Sequence, residues 1–341
     1  MSKKVVTFGE IMLRLSPPEH QRFTQADSFE IVYGGGEANV AVSAANYGLD
    51  AAFVTKLPDN AIGDSAINEL RRYGVDTNFI ARGGDRIGIY YYEKGASVRP
   101  SKVIYDRAYS AIAEAKPGDI DWKGAFEGAT WFHFTGITPA LGEDVAKLTE
   151  EGCKVAKEMG LTVSCDLNYR KKLWTTEEAG KTMGELMKYV DVIVANEEDA
   201  EKVFGIKAAK TDVTSGELDM EGYKYVAKEL KERFDLEIVT ITLRESISAS
   251  DNNWSAMLYD GNEYLFSKKY NLHIVDRVGG GDSFGGGLIY SLVSGYGHRD
   301  ALEFAVAASA LKHTIIGDAN HVSVEEVNNL KDGDASGRVQ R

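Results

Sequence analysis

Short apolar runs alternate with amphipathic helical stretches along almost the whole chain, and this rhythm restricts the fold more than any other feature. Runs at 5–8, 52–56, 131–135, 162–166, 192–195 and 238–242 have the length and β-branched content of strands. Helical periodicity falls at 37–47, 63–73, 145–159, 179–189, 219–234, 282–294 and 299–312. Strands this short and this uniformly apolar are buried on both faces, and strands joined through helices run parallel. The expectation is an α/β protein: a central, mostly parallel sheet flanked by helices.

Two segments leave the rhythm. Residues 12–33 and 86–111 alternate aromatic, β-branched and charged residues with no helical period, and 88–93 carries Tyr90, Tyr91 and Tyr92 at the period of a half-exposed strand. They are expected to form a small β-sheet inserted into the α/β body and able to cover a site. The division that follows is a core of 1–11, 34–85 and 112–330, a β lid of 12–33 and 86–111, and a flexible, polar tail at 331–341.

Charge narrows the partners. Among 341 residues, 39 Lys+Arg stand against 52 Asp+Glu, a formal net charge of −13. Such a surface repels phosphate backbones and anionic lipid, so neither nucleic acid nor a membrane is an expected partner. Glu10 and Arg14 interrupt the first apolar run, so no secretory signal is expected there, and nothing approaches the ~20 apolar residues of a membrane span. Cys153 falls in a helical pattern and Cys165 in a strand, which suits reduced, buried thiols and a cytoplasmic location.

Glycine is in surplus, at 35 residues, and two clusters matter. Asp276-Arg277-Val278-Gly279-Gly280-Gly281-Asp282-Ser283-Phe284 opens a helical pattern. Glycines before a helix let backbone N–H groups converge where helix-start amides already favour an anion. Asp282 beside such a cradle suits phosphoryl transfer, the amides bearing charge and the carboxylate taking a hydroxyl proton. Read from these residues alone, a tight turn with Asp282 as a helix cap fits equally well. The second cluster, Gly34-Gly35-Gly36 with Asn39 a turn later, either admits a polyol close to the backbone or merely caps a helix.

The first segment resembles the C-terminal signature of the PfkB (ribokinase-like) carbohydrate kinases, D-T-x-G-A-G-D. Tyr33-Gly34-Gly35-Gly36-Glu37-Ala38-Asn39-Val40-Ala41, followed by Gly48 and Gly63-Asp64, resembles the family's N-terminal glycine motif. The two motifs lie far apart and in the family's order, so the resemblance covers roughly residues 3–330. It implies a ribokinase-like fold and ATP with Mg²⁺, Asp282 as catalytic base, and Gly279, Gly280 and Gly281 as the anion hole. Arg277 and Val278 stand where the family commonly has Thr, and Gly280 where it has Ala. Asp276 holds the turn and, in related enzymes, a monovalent cation such as K⁺, which the resemblance allows here without requiring it. Gly34, Gly35 and Asn39 become substrate-site residues.

Further nucleotide-site residues follow from the resemblance. Asn196-Glu197-Glu198-Asp199 is similar to the family's N-x-x-E motif, which organises Mg²⁺ and phosphate through water. Asp199 replaces the usual Glu and is one methylene shorter. Thr242, Arg244, Glu245 and Ser246 occupy the place of a Gly-containing phosphate loop. Arg244 either contacts phosphate or pairs with Glu245 at the surface. Gly317 and Asn320 fall in a segment that resembles the family's adenine-side loop.

Residues just past strand ends line the crevice of α/β folds. Arg170, after the strand ending at Asp166, and Arg107 of the lid suit a clamp on one carboxylate. Gly9-Glu10, Ile104-Tyr105-Asp106-Arg107, Asp166-x-Asn168-x-Arg170 and Lys312-His313-Thr314 with Gly317-Asp318 resemble the 2-keto-3-deoxygluconate kinases of that family. The resemblance adds Glu10, Tyr90, Tyr105, Arg107 and Arg170 as substrate contacts, with Tyr92 the alternative to Tyr90. The implied reaction is transfer of the ATP γ-phosphoryl group to the C6 hydroxyl of a sugar acid. Exposed lid edges suit a homodimer or higher homo-oligomer. A fructokinase- or ribokinase-type neutral-sugar kinase, a phosphosugar kinase and a non-catalytic sugar-binding regulator are the competing readings. A dinucleotide oxidoreductase is disfavoured, since no G-x-G-x-x-G follows the first strand.

Overall fold

The structure, a computed structural model, describes residues 3–196, 198–207 and 220–333. In chain order its strands are β1 (Lys4–Phe8), β2 (Met12–Ser16), β3 (Glu30–Gly34), β4 (Asp50–Val54), β5 (Lys56–Leu57), β6 (Ala81–Arg82), β7 (Gly88–Glu93) and β8 (Lys102–Asp106). They continue as β9 (Ala129–Thr135), β10 (Thr162–Asp166), β11 (Val192–Asn196), β12 (Ile238–Ser246), β13 (Asp251–Tyr259), β14 (Tyr264–Phe266) and β15 (Tyr270–His273). The helices are α1 (Gly36–Asn46), α2 (Ala61–Arg72), α3 (Trp122–Phe126), α4 (Glu143–Glu158), α5 (Thr176–Leu186), α6 (Asp199–Phe204), α7 (Met220–Phe234), α8 (Gly280–Val293), α9 (His298–Lys312) and α10 (Val324–Asp332).

The central sheet runs β14-β13-β12-β11-β10-β9-β1-β4, with β15 also paired to β13. From β4 to β12 every pair is parallel. Each strand of this stretch is buried on both faces, as its composition requires. Phe8, Phe132 and Phe134 point into a core shared with α4, α5 and α7, and Val5, Trp131 and Val194 into one shared with α1, α8 and α9. Fully burying each large apolar side chain is worth roughly 1.5–3 kcal/mol. The chain moves outward from β1 to β4 and returns on the other side at β9. The reversal at the carboxyl ends of β1 and β9 is where α/β folds open a ligand crevice.

Beyond β12 the sheet turns antiparallel, which the periodicity does not reveal. β13 begins Asp-Asn-Asn, residue types depleted in strands, and only its pairing with β12 makes it one. The same pairing corrects the expected phosphate loop at 244–246. Those residues continue β12, with Arg244 opposite Trp254 and Ser246 opposite Asn252. The expected tail boundary also moves. Lys331 and Asp332 belong to α10, which Gly333 terminates with a left-handed φ of 117°; residues 334–341 lie outside the described residues, as does Asp219 at the expected start of α7.

The lid is a separate four-stranded sheet in the order β3-β2-β7-β8. Its inner positions are Met12, Arg14 and Ser16 on β2 and Gly88, Tyr90 and Tyr92 on β7. It enters and leaves the core beside the crevice.

Candidate active site

Two glycine-led helices converge on Asp282. Gly279 takes a left-handed φ of 81°, and a Cβ there would lie 1.8 Å from the Asp318 carbonyl oxygen. A Cβ on Gly280 would meet the His313 ring at 2.5 Å, whereas Gly281 faces open space. The turn thus leads into the N-terminus of α8 with its amides toward the crevice, and Asp282 sits in the first helical turn. From α1, the Asn39 side-chain amide donates to Asp282 Oδ2 at 2.7 Å. Glu37 fixes α1 on β9: one carboxylate oxygen accepts from Thr135 N (3.0 Å), Thr135 Oγ1 (2.8 Å) and Thr138 Oγ1 (2.6 Å).

Burial pushes the Asp282 carboxyl up to about 6, helped by the neighbouring Asp318 and opposed by the Asn39 hydrogen bond, Arg170 and Lys312. A carboxylate with that value is ionised at neutral pH and still a competent proton acceptor. If Asp282 is the base, activity requires its deprotonated form, present above about 6 and lost as pH falls through it. The kcat/KM profile should show an acid limb of unit slope near pH 6, and a limb near the ordinary aspartate value would contradict that environment.

Asp282 opens onto a cleft of about 450 Å³, a size suited to small ligands. The Gly34–Gly36 cluster and the 86–111 segment contribute Gly34, Gly35, Asn39, Tyr90, Tyr105 and Arg107 to its wall. Strand ends and the second glycine turn contribute Asn168, Arg170, Asn196, Thr242, Arg244 and Gly279–Gly281, together with Arg277. Arg107 lies over the Tyr105 ring at 4.3 Å, and Arg170 is exposed to the cleft with Nη1 on the Tyr169 carbonyl at 3.1 Å. Alternation along β12 sends Arg244 and Glu245 to opposite sides. Glu245 points away to Lys269 (2.7 Å) and Asn253 (2.7 Å), while Arg244 lines the cleft.

Several expected contacts lie behind the cleft wall instead. Glu10 is buried behind Arg107, its carboxylate 3.5 Å from Arg107 Nε, and burial raises its pKa against the opposing Arg107 charge. Asp199 holds two strand-end loops together, accepting from Tyr169 N (3.1 Å) and Asn196 N (3.2 Å). The carboxylates that do reach the cleft from this side are Asp166 and Glu198; Glu197 lies outside the described residues. Asn320 is buried and donates to Ser283 Oγ (2.5 Å) and the Tyr47 hydroxyl (3.1 Å). Gly317, at φ 95°, donates its N–H to Asp276 Oδ2 at 3.2 Å. Neither lines the cleft; of the 313–320 loop it is Asp318 that reaches it. Tyr90, not Tyr92, reaches the cleft, and its hydroxyl is committed to Asp318. Tyr92 instead packs its ring under Arg14, at 4.4 Å.

Arg14 was not anticipated from its place in the lid. It is fully buried, with Nη2 2.8 Å from Asp276 and Nη1 2.5 Å from Asp318. The polar residues Arg14 and Ser16 on the inward phase of β2 are the sequence signal, since a charge on that phase needs an internal partner.

The sequence pattern of the pfkB family carbohydrate kinases matches residues 2–323. The chain belongs to that family. It is therefore a carbohydrate kinase on a ribokinase-like α/β fold. A 2-dehydro-3-deoxygalactonokinase of Haloferax volcanii is 38% identical, covering 98% of this chain and 99% of its own. A 2-dehydro-3-deoxygluconokinase of Thermoproteus tenax is 27% identical over 92% of this chain and 89% of its own. The crystal structure of a 2-dehydro-3-deoxygluconokinase from Thermotoga maritima superposes with a TM-score of 0.94 at 56% identity, covering 98% of this chain and 99% of that one. Among the described residues no helix is long and apolar enough to cross a membrane.

Proposed function

We propose that this kinase transfers the γ-phosphoryl group of ATP to the C6 hydroxyl of a 2-keto-3-deoxy sugar acid, 2-keto-3-deoxygluconate or its C4 epimer, with Asp282 as base. The observation that carries the reading is Asp282 itself, held by Asn39 at the start of α8 in a cleft that also presents Arg107 and Arg170. The names of the Haloferax, Thermoproteus and Thermotoga relatives support the acid and leave the epimer open.

The arrangement divides the work by charge. Arg107 and Arg170 attract and orient the carboxylate, which directs the far end of a six-carbon acid, its primary hydroxyl, toward Asp282. The Gly279–Gly281 turn and the α8 amides bear charge that grows on the transferring phosphoryl oxygens. Arg244, Thr242 and Asn196 line the nucleotide side. The lid limits water access, and with it loss of ATP to hydrolysis.

Mg²⁺ fits the donors present. Asp166 is held well above the ordinary carboxylate range by burial and by the neighbouring Asp199 and Asp282, a crowding of negative charge that a cation relieves. Asp166 and Glu198 would hold it largely through water, since Mg²⁺ keeps much of its hydration and takes nucleotide oxygens. Bound there it would neutralise phosphate charge. A cytoplasmic homodimer, joined along the exposed edge of β8, completes the reading; sedimentation equilibrium tests the assembly.

ADP release measured with ATP and Mg²⁺ over both 2-keto-3-deoxy epimers, aldonic acids, neutral hexoses, ribose and sugar phosphates decides the substrate. Rates on fructose or ribose equal to those on the acids would refute the sugar-acid assignment. Arg170→Ala is the cleaner of the two clamp variants, because Arg107 also neutralises Glu10. It should raise KM for the acid about 10- to 100-fold and leave KM for ATP unchanged. An unaltered KM for the acid removes Arg170 from the clamp.

A further inference from the structure

The Lys312 ammonium lies fully buried beneath the glycine turn. Its Nζ donates to two main-chain carbonyls, those of Asp276 and Ile315, each at 3.2 Å. Among the described residues no carboxylate forms an ion pair with it. The carboxylates nearby are already engaged: Asp276 Oδ2 and Asp318 Oδ1 by Arg14, and Asp276 also by Gly317 N and Val278 N, both at 3.2 Å. Leaving an ammonium in a dry site on carbonyl oxygens alone is costly unless the surroundings want a positive charge. They do. Burial pushes the Lys312 ammonium toward neutrality and Arg14 adds to that, while Asp276, Asp318 and Asp282 all favour the charged form.

The end of α9 is also the platform of the cradle. Ser309 Oγ donates to the Gly280 carbonyl at 2.6 Å, and the His313 ring fills the space that a Gly280 side chain would need. Lys312 ties the turn at Asp276 to the loop at Ile315 across that platform.

Main-chain carbonyls around a single positive charge are the coordination chemistry of a monovalent metal ion. Such an ion beside Asp276 does not fit this chain, because the Asp276 carbonyl and both carboxylate oxygens already accept from protein donors. We propose that Lys312 is a resident cation and positioning residue. It holds the 276–280 turn on the 313–318 loop and makes phosphoryl transfer independent of added monovalent ions. The catalytic part of this inference rests on the kinase reading above.

Two measurements test it. First, the protein is exchanged into tetramethylammonium chloride and titrated with KCl, NaCl or NH₄Cl at constant ionic strength. The thermal midpoint, read without substrate, should stay within about 1 °C, because nothing binds the native state selectively. The kinase rate should be flat. A saturable rise of either with one ion overturns the proposal, and the midpoint does so even if the sugar-acid reading fails. Second, Lys312→Ala should lower kcat about 10- to 100-fold, the loss of charged hydrogen bonds, with KM for the acid little changed. K⁺ or NH₄⁺ should then restore part of kcat and raise the midpoint of this variant. A folded Lys312→Ala with wild-type kcat, or one that no cation restores, overturns the proposal; if it does not fold, the wild-type titration alone decides.

Discussion

Asp282→Asn is expected to lower kcat by about 10²–10⁴, the contribution of a positioned general base, without unfolding the protein. The substitution keeps the size of the side chain and an oxygen for the Asn39 amide, whose bond to Asp282 spans 2.7 Å. It removes the lone pair that accepts the sugar hydroxyl proton and abolishes the acid limb near pH 6. ATP and sugar-acid affinity, read by calorimetry, should change little, because neither Arg107, Arg170 nor the glycine turn is altered. Binding preserved with turnover lost separates a kinase from a sugar-binding regulator on the same fold. Turnover within threefold of wild type would falsify the base assignment.

The largest stability loss should come from Arg14→Met. The side chain is similar in length and apolar, so the lid strand keeps its packing, but Asp276 and Asp318 lose the guanidinium that bridges them. Breaking a buried ion network from one side costs about 3–5 kcal/mol, because the remaining charges stay uncompensated. For a chain of this size that corresponds to a fall in Tm of about 4–7 °C. Adding Asp318→Asn should recover part of the loss, since it removes one of the stranded charges, and the double variant then departs from additivity. Hydrogen exchange should quicken on β2 and β7, where Arg14 and the Tyr90–Asp318 hydrogen bond fasten the lid to the core. A loss below 1 kcal/mol by denaturant titration would refute this role for Arg14.

Local pattern made much of this protein readable. The uniformly apolar runs announced a parallel sheet covered on both faces, and the two aberrant segments form the lid sheet. The placement of Asp282, Asn39, Arg107 and Arg170 on the cleft was legible because each sits at a helix start or a strand end whose position follows from periodicity. β13 escaped because its polar first half becomes a strand only through the partner it pairs with. Glu10, Asp199, Gly317 and Asn320, ligand contacts by family resemblance, lie just behind the wall.

The difference is one of depth. Periodicity assigns a residue to a face of its own element, and the order of elements assigns that element to the crevice. By itself, then, the chain determined the fold, the glycine turns and the presence of a carboxylate with two arginines near a glycine-led helix start. Whether a side chain one residue away looks into the cleft or into the packing beneath depends on atoms from distant segments. Arg14, Asp276, Lys312 and Asp318 lie in three such segments, and only folding brings their charges within reach of one another. Burial then makes pairing obligatory, because water no longer screens or solvates them. Tertiary structure alone therefore decided which charges face the cleft and which hold the turn.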